Sequence, residues 1–381
     1  MSIGNRIYAE LRGDRVIWMI VIVLAVISIL TVYSATGTFV YKGGSTEFFL
    51  MKQLIMVTGG LVLTYFCYLM HYMNYSKYAP MLLIACIPLL VYTIAFAAEV
   101  NEARRWIQLP IIGITFQTSD LAKLALIIYV ARAISSKQEY IKDFESAFLP
   151  IIVPILIICG LIAPADLSTA LLLFVTCMLM MFMGRVDLKY IGLLVFLWIV
   201  VFAFLIVLGK MFEGVDGADG IFRVNTWINR LAEFANNPDG GYQIQQAKIA
   251  IANGEWFGAG PGKSMMRAYL PSPYSDFIYA TIIEEYGLLG GFVVTGLYVL
   301  LFVRTVKIVT NSPKAFGAML ALGLSLILVI QAFANMAVAV NLVPVTGLTL
   351  PMVSMGGTST IFTCISFGII LSVSKYIEKA K

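Results

Sequence analysis

The sequence predicts an all-α membrane protein, a polytopic bundle of about ten transmembrane helices with one large extracytoplasmic loop. Three observations carry this. The 381 residues are 60% hydrophobic and only 12% charged, about half the charged fraction of a soluble domain. The apolar residues gather in runs of about 20, the length of helix that crosses a bilayer. The stretch 210–280 alone is both long and polar.

The first run, 16–35, follows Arg6, Arg12 and Arg15. That start is signal-peptide-like, but so many spans follow that an uncleaved first helix is expected. Further helices are expected near 53–70, 79–98, 119–134, 148–164, 167–183, 190–209, 280–303, 315–340 and 357–374. The runs 148–164 and 167–183 meet at Pro164-Ala165-Asp166 and are together too long for one span. Pro80, Pro88, Pro150 and Pro154 are tolerable where neighbouring helices satisfy the freed backbone groups. Ten spans return both termini to one side. Fifteen of the 26 basic residues then fall in the segments on that side, which assigns it to the cytoplasm. The chain reads as one domain with a cytoplasmic segment 1–15 and a cytoplasmic tail 375–381.

Within 210–280, turn-rich sequence surrounds a short helix expected at 223–235. Gln243 to Ala252 has apolar residues at helical spacing and is expected to lie along the membrane surface. Long ordered loops on a rigid bundle are where function concentrates.

Composition also excludes classes. The five cysteines lie inside apolar runs and His71 stands alone, so no zinc or disulfide framework is expected; nothing points to haem. A net charge of +5 does not suggest nucleic acid as a partner.

Four clusters carry candidate chemistry. In Ala103-Arg104-Arg105-Trp106-Ile107, two arginines beside a tryptophan suit a phosphate at headgroup level, or ordinary interfacial anchoring. In Gln117-Thr118-Ser119-Asp120-Leu121-Ala122-Lys123, Thr118 or Ser119 is expected to cap a helix. Asp120 and Lys123 share one helical face, either as an internal ion pair or as a phosphate site with Lys123 as ligand. The run Gly254 to Ser264 is superficially similar to a phosphate-binding P-loop but lacks its spacing, so no nucleotide site is expected. Its glycines suit close backbone approach to a polar headgroup or another helix. In Tyr274-Ser275-Asp276-Phe277, a carboxylate stands among aromatics where the loop re-enters the membrane, a setting that raises a pKa towards that of a working base. Capping the next helix is the alternative. Glu284 and Glu285 lie about two turns deeper. Finally, Leu342 to Ser359 reads as a folded outer loop or re-entrant segment.

These segments, in this order, resemble the family of shape, elongation, division and sporulation (SEDS) proteins. The resemblance is most specific from Gly241 to Gly291 and from Pro344 to Ser359, and is closer to the family's cell-division members than to its elongation members. It implies a peptidoglycan glycosyltransferase that polymerises lipid II on the outer face of the cytoplasmic membrane, at the division septum. By the same match Asp276, in the "DFI" motif, would be the catalytic carboxylate. Arg104, Arg105, Trp106 and Lys123 would hold the lipid diphosphate. Asp120, in T-S-D/A-K where the family usually has Glu, would support or position a metal, with Gln246, Lys263 and Ser264 as further support. Asp276 and Asp120 are the candidate ligands for a divalent cation (Mg or Mn). A class B penicillin-binding protein and other division proteins would be partners, contacting the outer loops and the eighth and ninth helices. Ten helices with internal charges would also suit a lipid II flippase or a non-enzymatic scaffold. Against a flippase, the charges crowd one outer face and not the midplane.

Overall fold

The computed structural model describes residues 13–37, 46–96, 98–100, 103–108, 115–211, 224–237 and 239–380. Among these, ten helices are mainly apolar: α1 (Arg15–Ala35), α2 (Thr46–Leu69), α3 (Tyr72–Phe96), α4 (Thr118–Ser136), α5 (Leu149–Ile162), α6 (Leu167–Met183), α7 (Leu188–Met211), then α10 (Ile278–Asn311), α11 (Ala315–Ala339) and α12 (Thr358–Ala380). Between α7 and α10 lie α8 (Val224–Asn236) and α9 (Tyr242–Gly254), where the two loop helices were expected. Seven of the ten are long and apolar enough to cross a membrane by length and composition; α5, which is 14 residues, qualifies only with the π-turn Phe144–Phe148 before it.

Polar clasps between distant segments show how the helices alternate. At one end, Arg304 forks onto the Asp14 carboxylate (Nε to Oδ2, 2.9 Å). There Ser374 also takes the Asp14 amide, and Ser372 donates to the Met70 carbonyl. At the other, Ser168 donates to Thr346 O and the Gln117 amide to Thr358 Oγ1. We call these the termini end and the loop end. α11 is buried along almost its whole length and is the bundle's centre.

Pro80 and Pro88 lie within α3 and Pro154 within α5, so the bundle tolerates them as expected. Two sequence expectations change. The segment after α3 is a three-stranded antiparallel sheet, β1 (Ala98–Val100), β2 (Ala103–Gln108) and β3 (Thr115–Gln117), with Trp106 opposite Gln117. α10 is longer than expected at both ends and is broken at Gly287 (φ 71°, ψ −175°).

The break has a partner. Loop amides Ala259 and Gly260 donate to the carbonyls of Glu284 and Glu285 (2.9 and 3.0 Å). In return the amides of Leu288 and Leu289 donate to Glu255 and Trp256. The 254–260 loop thus crosses α10 backbone to backbone. A Cβ on Gly258 would lie 2.2 Å from Glu285 O, and one on Gly287 2.2 Å from Trp256 O; only glycine fits such a crossing. The close approach expected of these glycines is therefore to a helix.

Candidate functional site

Asp276 is half-buried at the loop end, two residues before α10 begins. It does not cap that helix: Phe277 takes the N-cap position and makes no side-chain cap bond. The alternative of a structural cap therefore falls. Its Oδ1 accepts from Ser275 Oγ at 2.9 Å.

The backbone beneath it is held at three successive carbonyls. Met355 N donates to Tyr274 O (2.9 Å), Ser354 Oγ to Ser275 O (2.7 Å), and Asn335 Nδ2 to Asp276 O (2.8 Å). Asn335 Nδ2 also donates to Leu348 O at 2.7 Å. Gly347 packs beside the carboxylate; a Cβ there would lie 3.8 Å from Asp276 Oδ2. The segment joining α11 to α12 is therefore a wall of the Asp276 site.

Four residues earlier on α11, Gln331 donates to Thr349 O at 2.8 Å. It also lines a narrow opening, with a cavity volume of about 30 Å³, between α4, α11 and α12. Gln331 and Asn335 are one turn apart, about 6 Å along the axis, so the opening and Asp276 adjoin. Ser359, Thr363 and Ser366 face the opening from α12, descending about 10 Å along one helical face. Opposite them stand Asp120 and Lys123.

Asp120 is 3% exposed and its Oδ1 is 2.6 Å from Lys123 Nζ. The internal pair read from their spacing is present. The expected cap is not: α4 begins at Thr118, so Gln117 is the N-cap and makes no side-chain cap bond. Ser119 instead accepts from Gln117 Nε2. Asp120 sits in the first turn, where the helix dipole favours a negative charge, and its Oδ2 is buried without a donor among the described residues.

No group of three or more His, Cys, Asp or Glu side chains among the described residues forms a metal cage. Magnesium, however, is usually held by one or two carboxylates plus substrate phosphate oxygens, and Asp120 Oδ2 fits that lesser requirement.

The other expected residues are scattered. Trp106 is half-buried and donates from Nε1 to Gln117 Oε1 at 3.2 Å, so it adjoins the start of α4. Arg104 and Arg105 belong to β2, but their side chains lie outside the described residues. Gln246 is half-buried on α9 and Lys263 is exposed; neither lines the opening. Ser264 is buried and donates to Glu284 Oε2.

The two glutamates flagged by depth are buried and structural. Glu284 Oε1 accepts the amides of Met265 and Met266 (2.9 and 3.1 Å). Glu285 accepts from Ser34 Oγ on α1, and Arg267 donates to Ser34 O at 2.8 Å. Together they fasten the loop to α1 and α10. Sequence reasoning missed Gln331, Asn335 and Ser354. Gln331 and Asn335 left a usable signal, two amides four residues apart inside an apolar span.

A family model described as a cell cycle protein, that of FtsW, RodA and SpoVE, matches residues 14–379. The probable peptidoglycan glycosyltransferase FtsW of Geobacter sulfurreducens is 31% identical over all of this chain and all of its own. The stage V sporulation protein E of Bacillus subtilis is 30% identical, over 95% of this chain and 97% of that one. Among solved structures, a chain of a peptidoglycan synthase complex has a TM-score of 0.75 at 23% identity, covering 96% of this chain and 98% of its own. The rod shape determining protein RodA of Thermus thermophilus has 0.66 at 22%, covering 95% and 96%.

Proposed function

Because the chain belongs to the FtsW, RodA and SpoVE family of cell cycle proteins, we propose that it is an integral-membrane peptidoglycan glycosyltransferase that polymerises lipid II. The observation that carries this reading is Asp276. It is a half-buried carboxylate, released from capping, on a backbone held at three carbonyls, beside an opening lined by the half-buried cation Lys123.

The reaction we assign is an inverting glycosyl transfer. Asp276 takes the proton from the acceptor's sugar 4-hydroxyl as that oxygen bonds to the donor's anomeric carbon and the bond to diphosphate breaks. The leaving diphosphate develops negative charge, which Lys123 is placed to meet. Arg104 and Arg105 belong to the same reading by their place in β2. A divalent cation arriving with the diphosphate would be held by Asp120 and would neutralise part of that charge. One base and a stabilised leaving group suffice, without the second carboxylic acid of glycoside hydrolysis.

We place the termini end in the cytoplasm, the loop end outside, and the protein at the division septum. A class B penicillin-binding protein is the partner we assign. The contact expected on the eighth and ninth helices narrows: α11 is buried, whereas α10 exposes Leu289, Phe292, Val293 and Val303 along its length.

Protein reconstituted with that partner and given labelled lipid II tests the reading. Asp276→Asn should lower polymerisation by about 10²–10⁴-fold, the usual contribution of a general base. Polymerisation by Asp276→Asn at the wild-type rate would sink it. Transbilayer movement of lipid II without polymer would favour a flippase instead.

A further inference from the structure

We propose that Asn335 and Ser354 are positioning residues for Asp276, acting as a clamp that fixes its carboxylate against the α11–α12 segment. The proposal rests on Asp276 being the base. The clamp is built from a helix and a loop that lie 59 to 79 residues along the chain from their targets.

Its geometry is more specific than anchoring a turn requires. The Asn335 amide spends both protons on carbonyls of two different segments, Asp276 O and Leu348 O. A hydroxyl has one proton and could not join them. Leu348 follows Gly347, the residue packed beside the carboxylate. One amide thus sets the separation between Asp276 and the wall it faces. Ser354 works as a relay: its Oγ accepts from Leu350 N at 2.8 Å and donates to Ser275 O at 2.7 Å.

The cost is visible too. Asn335 is 1% exposed, and its Oδ1 is buried with no donor among the described residues. An orphaned buried oxygen is unfavourable, and packing alone would favour an apolar side chain there. An amide is retained where its two protons are needed.

Asn335→Ala and Ser354→Ala, each in the full chain with its transpeptidase partner, test this alongside Asp276→Asn. A base displaced by about 1 Å loses up to about 10²-fold in rate, so we expect kcat to fall by about 10- to 100-fold. KM for lipid II should stay within about twofold, because binding in the opening is untouched. Thermal unfolding identifies which variants fold, and either folded variant suffices for the reading. Wild-type kcat in both clamp variants with Asp276→Asn inactive would overturn the clamp and leave the base standing. A loss carried in KM alone, or unfolding of both variants, would make the bonds structural and overturn it as well. An active Asp276→Asn would remove the base itself, a result distinct from these.

Discussion

Asp120 and Lys123 show what a buried charge costs and what it can do. Both side chains are nearly withdrawn from solvent, 2% and 12% exposed, with 2.6 Å between the charged atoms. Removing one partner of a buried pair leaves an uncompensated charge, typically destabilising by about 3–5 kcal/mol. Asp120→Asn should therefore lower the thermal unfolding temperature in detergent. Replacing both, as Asp120→Asn with Lys123→Met, removes the stranded ammonium and should recover most of that loss. The double variant would still lack the cation facing the opening. A charge-assisted bond is worth about 1.5–3 kcal/mol, so KM for lipid II should rise by about 10- to 100-fold. A double variant that is stable and binds substrate normally would reduce the pair to packing. The spacing of three residues made the pair readable beforehand. The direction of the helix start did not, because Thr118 and Ser119 are good caps by type yet lie inside the first turn.

The element that organises the site is α10, and its defining feature is the break at Gly287. Two unpaired carbonyls above the break and two amides below it would be orphaned in a membrane, where each unsatisfied group costs several kcal/mol. The 254–260 loop satisfies all four, while Glu284 and Glu285 hold the flanking loop through Ser264 and Ser34. Gly287→Ala would place a Cβ 2.2 Å from Trp256 O at a positive φ. It should lower the unfolding temperature sharply and, because the same helix begins just after Asp276, lower kcat with it. Retention of both would show that the crossing can relax. Gly258→Ala offers the same test from the other strand of the crossing. The run Glu285-Tyr286-Gly287-Leu288-Leu289 gives no sign of this break, since an apolar run with isolated glycines reads as one helix. The glycine series from Gly254 to Gly262 did signal close backbone approach, but a pattern cannot name the surface approached. The sheet at 98–117 was hidden for a related reason: three short strands around Arg104-Arg105-Trp106 have too few residues for a period-2 pattern. The amide of Asn335 stood out in its apolar span, but what it and Ser354 bond was illegible, because those partners lie 59 and 79 residues away and one sequence cannot show pairing at that range.

The ten apolar helices among the described residues belong to a molecule with two chemically different ends. At the termini end, Arg304, Asp14 and Ser374 form a clasp between α1, α10 and α12, and exposed lysines such as Lys142 and Lys189 lie beyond it. At the loop end, the connections carry Asp276, the α11–α12 segment and the mouth of α4. α10, at 34 residues, is about 51 Å long by its rise, well beyond a hydrocarbon core of about 30 Å. Twenty residues back from Arg304 reaches Glu284, so the break at Gly287 falls near the outer boundary if Arg304 marks the inner one. Trp256 and Phe257, both exposed, then lie at the level of the headgroups, as interfacial aromatics do. This registration makes the sidedness testable. Single cysteines at Lys263 and Lys189, with the native thiols replaced, should label differently with a membrane-impermeant maleimide. Lys263→Cys should react in intact spheroplasts and Lys189→Cys only after permeabilisation. The reverse pattern would put the Asp276 site on the cytoplasmic side, away from an outward-facing polymerisation. Labelling of both from one side would break the ten-helix count. The same measurement thus decides both the parity of the bundle and which side of the membrane its carboxylate serves.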